Sequence, residues 1–314
     1  MSGQMNKLLA LTAAVLAALS VVLFMAGRDS ERPVVDSKLF AVEETEKIDR
    51  VQMIRKGDTV TLSFDDGKWK VNHRWDADVQ MIKVLMATLR QQAPHRPAAA
   101  AIADTVNRRL NENGTHVIVS KSGQSELEFD AGGNRAKSEA WFRKTGTSQS
   151  YVMMIPGYRV YVSGIFELGV SGWRNKRVFD FNWRNFKSLT ASYLHQPADG
   201  FTVEMKQRYF GIRGLDPVDT TRLNDYLDAV SLLMARRFVD NADSAARRVM
   251  EGQPSAQVEI RDIADRTYRL ELYTPRSNDN EVFARLADGE IVAFDRGDVA
   301  AILRKRNWFK ATQR

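Results

Sequence analysis

The sequence predicts an α+β protein: an N-terminal transmembrane helix followed by two tandem duplicated modules, each a mostly antiparallel sheet with one longer helix and short helices. Three observations carry this. Residues 8–27 form an uncharged apolar run; period-two and 3.6-residue patterns alternate after it; and one series of features occurs twice in the same order. The organisation expected is a signal-anchor over 1–27, a tether over 28–45, a first module over 46–187 and a second over 188–314.

The run LLALTAAVLAALSVVLFMAG has Lys7 before it and Arg28, Asp29, Glu31 and Arg32 after it. A helix rising about 1.5 Å per residue needs about 20 such residues to cross a bilayer core. A cleaved signal peptide, with a shorter core, is the rival. Val21 to Met25 continue the apolar run past the small residues near Ala18 and Ser20, which favours an uncleaved anchor. Lys7 and the α-amino group precede the run and Arg28, Arg32 and Lys38 follow it, so the positive-inside count alone does not set the orientation. Because first segments of this kind act as export signals, the reading is a single-pass membrane protein with its N-terminus inside and its bulk outside.

In the first module Val60, Leu62 and Phe64 alternate, and Asp65-Asp66-Gly67 reads as a hairpin turn before Trp69 and Val71. Val79, Ile82, Met86 and Leu89 form a helical stripe. Ala103 to Leu110 reads as a second helix starting near Asp104, and His116 to Val119 as a strand. Pro156-Gly157 reads as a turn entering a strand over 158–162. The second module repeats the series. Leu189, Ala191 and Tyr193 alternate, then Phe201, Val203 and Met205. Leu223, Tyr226, Val230 and Leu233 form the helical stripe, at an offset of 144. Ala242 to Val249 echoes Ala103 to Leu110 at 139, and Asp288 to Phe294 echoes Pro156 to Val162 at 132.

Composition excludes several chemistries. With 44% apolar residues the chain is not disordered, and with no Cys it has no disulfide, thiolate metal site, Cys nucleophile or lipoprotein anchor. The four His have no metal-ligand spacing, and no phosphate-cradling glycine loop or nucleophile elbow occurs. Asp76 and Asp78 precede a helix, where capping accounts for them better than cation binding. No catalytic residue, cofactor or metal is expected.

Basic-aromatic clusters are the prominent surface feature. Residues 173–187 carry a net +4, with Trp173, Arg174, Lys176 and Arg177 at their start; residues 304–314 carry a net +5, with Arg304, Lys305, Arg306 and Trp308. The overall charge is +7, so the excess is local. Such clusters can meet a partner, anionic lipid or nucleic acid. They can equally oppose the negative ends of helices and pack a seam, which their equivalent place in both modules favours. Export disfavours nucleic acid.

The Gly67-Lys68-Trp69-Lys70-Val71 strand, the helix after Asp76-Ala77-Asp78-Val79, and the segments Ser150-Tyr151-Val152 and Tyr158-Arg159-Val160-Tyr161 resemble the domain of unknown function 4340 family. The resemblance implies a membrane-anchored bacterial protein, here of the inner membrane with its bulk in the periplasm, encoded near gliding-motility-type ABC transporter components, with no catalytic residues to transfer. It implies a non-catalytic accessory or scaffold subunit of an ABC-type transport or gliding-motility-like envelope complex, acting by protein binding. The alternatives are an envelope hydrolase on polymer or lipid, and a lipid-surface or nucleic-acid binder using the basic clusters. Oligomeric state is not readable.

Overall fold

A computed structural model describes residues 16, 17, 20, 35–206, 209–240, 243–274 and 280–311. It divides into two compact units, residues 1–73 with 80–169, and residues 74–79 with 170–314. The sequence places the seam after residue 187. The segment 170–187 instead packs into the second unit, where Phe179 and Phe186 join its core.

The expected fold class is corrected in two respects. First, two large antiparallel sheets dominate, and helices are a minor component. Second, among the described residues no helix is long and apolar enough to cross a membrane. The transmembrane helix expected over 8–27 thus has no counterpart among the described residues. That span lies outside the described residues except for Leu16, Ala17 and Ser20.

In chain order the first unit supplies β1 (Ile48–Arg55), β2 (Asp58–Asp65) and β3 (Lys68–Val71). The short strand β4 (Trp75–Asp76) counts with the second unit. Then come α1 (Val79–Gln91), β5 (Ala93–Pro97), α2 (Ala100–Asn113), β6 (Thr115–Lys121), β7 (Gln124–Gly133), β8 (Ala140–Lys144) and β9 (Ser150–Met154). Its strands lie in the order β3-β2-β1-β6-β7-β8-β9-β5. Alternation sets the faces: Val51 and Met53 on β1 meet Leu62 and Val60 on β2 and Val119 and Val117 on β6, all buried. The β2–β3 hairpin turns through Asp66 (φ 51°) and Gly67 (φ 77°), the left-handed pair that a two-residue hairpin requires. Phe40, Phe129, Phe142 and Phe166 pack edge-on or tilted, with centroids 4.8–5.8 Å apart.

The second unit adds α3 (Val170–Trp173), β10 (Phe186–Tyr193), β11 (Phe201–Lys206), β12 (Tyr209–Ile212), α4 (Thr220–Ser231), β13 (Arg237–Phe238), α5 (Ser244–Met250), β14 (Ala256–Asp262), β15 (Thr267–Leu272), β16 (Glu281–Leu286), β17 (Ile291–Asp295) and α6 (Arg296–Ile302). Its sheet runs β12-β11-β10-β14-β15-β16-β17-β13, the order of the first unit over again. Asp219 caps α4 by accepting from the Arg222 amide, and Asp243 caps α5 by accepting from the Ala246 amide. Leu223, Tyr226 and Val230 of α4 are buried with Phe201 and Phe309 in one core.

The equivalent helix shows a shifted stripe. Ile82, Leu85 and Leu89 of α1 are buried, whereas Val79 is 64% exposed. The pairing of the helices by burial is thus at an offset of 141, set by where each helix begins. The strand expected over 158–162 is absent; β9 pairs where β17 pairs in the second unit, and 158–161 is irregular.

Candidate functional site

In the second unit, residues 174–178, following Trp173 at the end of α3, form a strap. On one side the Asp78 amide donates to the Trp173 carbonyl (2.8 Å) and the Asn175 amide to the Asp76 carbonyl (2.9 Å). On the other the Ala235 amide donates to the Lys176 carbonyl (2.8 Å) and the Val178 amide to the Leu233 carbonyl (3.1 Å). These bonds hold the backbone of the strap along both edges. Trp173 is fully buried and Arg174 nearly so.

Burying a guanidinium requires a counter-charge. Glu290 supplies it: its carboxylate accepts from Arg174 Nη2 and, at 2.7 Å, from Trp75 Nε1. The turn at Gly289 (φ 87°), between β16 and β17, presents Glu290, with the Asp288 carboxylate accepting the Glu290 amide at 3.0 Å. The Arg174 guanidinium carbon lies 4.4 Å from the Trp75 ring centre and 3.5 Å from that of Phe238. Arg74 adds a second cation 4.6 Å from the Trp75 ring centre. Arg174 Nε has no hydrogen-bond partner. A cleft of about 420 Å3 opens over this group, and Lys176 and Arg177 are on its lining. Glu290 is thus held by two donors, Arg174 and Trp75.

The structure brings Arg174, Lys176 and Arg177 to this one cleft and leaves Arg304, Lys305, Arg306 and Trp308 outside its lining. The first three are not alike. Arg174 is interior, Lys176 Nζ donates to the Arg236 carbonyl at 3.2 Å, and Arg177 is exposed. Arg304 lies 4.8 Å from the Trp308 ring centre, and Lys305 pairs with Asp199 at 2.8 Å. Arg306 donates to the Gly214 carbonyl, and Trp308 packs against buried Phe309 with centroids 5.0 Å apart. Tyr193 donates its hydroxyl to the Arg304 carbonyl, and burial, with Asp199 nearby, pushes that phenol up to about 12. This second cluster closes the turn over Phe309. Both clusters belong to the second unit, so they do not occupy equivalent places in the two copies. Sequence reasoning missed Trp75, Phe238 and Glu290, whose meeting with Arg174 depends on pairings more than 50 residues apart.

The first unit carries an apolar groove of about 520 Å3 between α1 and the 155–168 segment. Ile82, Leu85 and Leu89 face the core, which leaves Met81, Val84 and Ala87 of the same helix on the groove. Opposite them are Tyr158, Val160 and Leu168. Val84, Tyr158 and Val160 are 49%, 65% and 52% exposed. Gly157 (φ 83°) makes the turn that returns Tyr158 towards α1.

No curated protein matches the chain, and no solved structure does. The model of a family described as a domain of unknown function, DUF4340, matches residues 73–252, taking in α1, α2 and the strap that carries Arg174. That is more than half of the chain, which belongs to the DUF4340 family.

Proposed function

We propose that this protein acts by protein binding, as a non-catalytic accessory or scaffold subunit of an ABC-type transport or gliding-motility-like complex of the bacterial envelope. The observation that carries the reading is the groove beside α1. Large apolar side chains gathered on a surface mark a site where another protein removes them from water. Val84, Tyr158 and Val160 lie together there, exposed over about half or more of their surface, on a unit whose own core is already filled by the opposite face of α1. The partner this surface fits presents an apolar helix or loop face. The transport complex comes from the family resemblance and awaits its own test.

The test is affinity capture of the full chain from detergent-solubilised cells of its native host. The expected result is co-purification of ABC-type permease or ATPase subunits. Recovery should fall at least tenfold in Val84→Asp/Val160→Asp, whose unfolding midpoint should match the parent. Capture of no transporter subunit, or equal capture by the variant, overturns the reading. The same reading puts the body of the chain in the periplasm; a C-terminal reporter active only after export should be active, and an inactive one with intact expression refutes that placement.

A further inference from the structure

Helix α2 has two working faces. Val106 and Leu110 are buried against the sheet. Thr105, Arg108, Arg109, Glu112 and Asn113 recur at helical spacing on another face, and all line a cleft of about 560 Å3. The wall facing them is the turn after β7, which brings Arg135 and Lys137, and Arg55 of β1 also lines the cleft. Five cations face two carboxylates, Glu112 and Glu167.

The cations are not equally engaged. Lys137 pairs with Glu167 at 2.9 Å, and Arg55 donates to the Glu167 carbonyl at 2.9 Å. Tyr161 also gives its hydroxyl to Glu167, so that carboxylate is occupied. Arg108, Arg109 and Arg135 have no carboxylate within ion-pair distance among the described residues. Elsewhere in the unit some cations are paired, Arg143 with Asp130, Arg96 with Glu139 and Lys121 with Glu126, while others such as Lys83 and Lys144 have no carboxylate within ion-pair distance among the described residues; what sets the three arginines apart is that they share one cleft. Like charges converging on one concavity repel, and a bound anion relieves that repulsion. At the cleft, Gly132 and Gly133 present backbone without side chains; a Cβ on Gly133 would come within 2.5 Å of Tyr161.

We propose that this cleft of the first unit is a binding site for a phosphoryl group, held by the forked guanidinia of Arg108, Arg109 and Arg135, with Thr105 and Asn113 as neutral donors. Three planar forks exceed what the two oxygens of a carboxylate can accept, and they match a phosphate with three free oxygens. The volume exceeds that of a bare phosphate, so the group is borne on a larger molecule.

The full chain is titrated at constant ionic strength with sodium pyrophosphate, and separately with phosphatidylglycerol-containing vesicles against phosphatidylcholine alone. Pyrophosphate should raise the Tm. Affinity should fall at least tenfold in Arg108→Gln/Arg135→Gln and stay within twofold in the charge-matched Lys187→Gln/Arg261→Gln of the second unit. Binding to pyrophosphate alone assigns a soluble phosphate; vesicle binding displaced by pyrophosphate assigns a lipid headgroup. Failure of both probes, or equal loss in the two double variants, overturns the site. Should the first double variant not fold, Arg109→Lys decides. It keeps the charge and loses the fork, so several-fold weaker binding supports the site and unchanged binding refutes it.

Discussion

Arg174 lies with its guanidinium carbon 3.5 Å from the centre of the Phe238 ring, inside the second unit rather than on its surface. The ring face attracts the cation, but it cannot replace the water the cation has lost. Glu290 completes the neutralisation. A residue that reads in sequence as part of a basic surface patch is an internal tie.

Breaking that tie leaves an uncompensated buried charge. Glu290→Gln is expected to destabilise the second unit by about 3–5 kcal/mol in denaturant unfolding. Arg174→Met/Glu290→Gln should recover much of the loss, because it removes both charges from an apolar slot. A single variant costing below about 1 kcal/mol would show that water reaches the pair.

Phe309 is fully buried, 4.7 Å from the Phe201 ring and 5.3 Å from that of Tyr226. Phe309→Ala opens a cavity under the 306–309 turn and should cost about 3–5 kcal/mol by chemical denaturation. Trp308→Ala, on the partly buried neighbour, should cost less than Phe309→Ala.

Asp262 is a buried carboxylate at the end of β14. Burial pushes its pKa up, but the Arg266 amide, the Arg266 guanidinium and the Ala264 amide outweigh burial and hold it below the usual carboxylate value. A depressed folded-state pKa gives stability that is present above the ordinary Asp value and lost as pH falls through the folded one. Unfolding midpoints should therefore drop below about pH 4, and Asp262→Asn should flatten that limb. An unchanged acid limb in the variant would contradict the assignment.

Gly133 has no room for a methyl group: an added Cβ would lie 2.5 Å from both the Glu139 carbonyl and the Tyr161 ring. The first contact is backbone and cannot yield without moving the turn. Gly133→Ala should lower stability by about 1–3 kcal/mol in thermal melts.

Strand alternation was legible in β2, β6, β10 and β11, because the period of two follows directly from the pleat; β1, Ile48–Arg55, was not picked out, since its apolar residues are interrupted by charged ones. The Asp66-Gly67 hairpin was legible for a similar reason, since its backbone demands those residue types. Helix ends were less so. The second helix of the first unit begins at Ala100, ahead of Asp104, and has no side-chain cap to announce it. The strand expected over 158–162 carries the right alternation, yet β5 takes the place beside β9 and leaves Tyr158 and Val160 outside. Charge was the least legible property. Composition shows where cations cluster along the chain, while only the fold shows that Arg174 and Lys176 are tied down and that Arg108 and Arg109 of α2 are not.

The outermost position beside β9 is held by β5, whose sequence is Ala93-Pro94-His95-Arg96-Pro97. Two residues of five have no amide hydrogen, and the register slips between Pro94 and Arg96. Such a border cannot template another strand. A polypeptide that writes the same topology twice risks zipping one copy onto the other, or onto a neighbouring molecule, while it folds. Proline at this rim ends the first sheet on the β5 side.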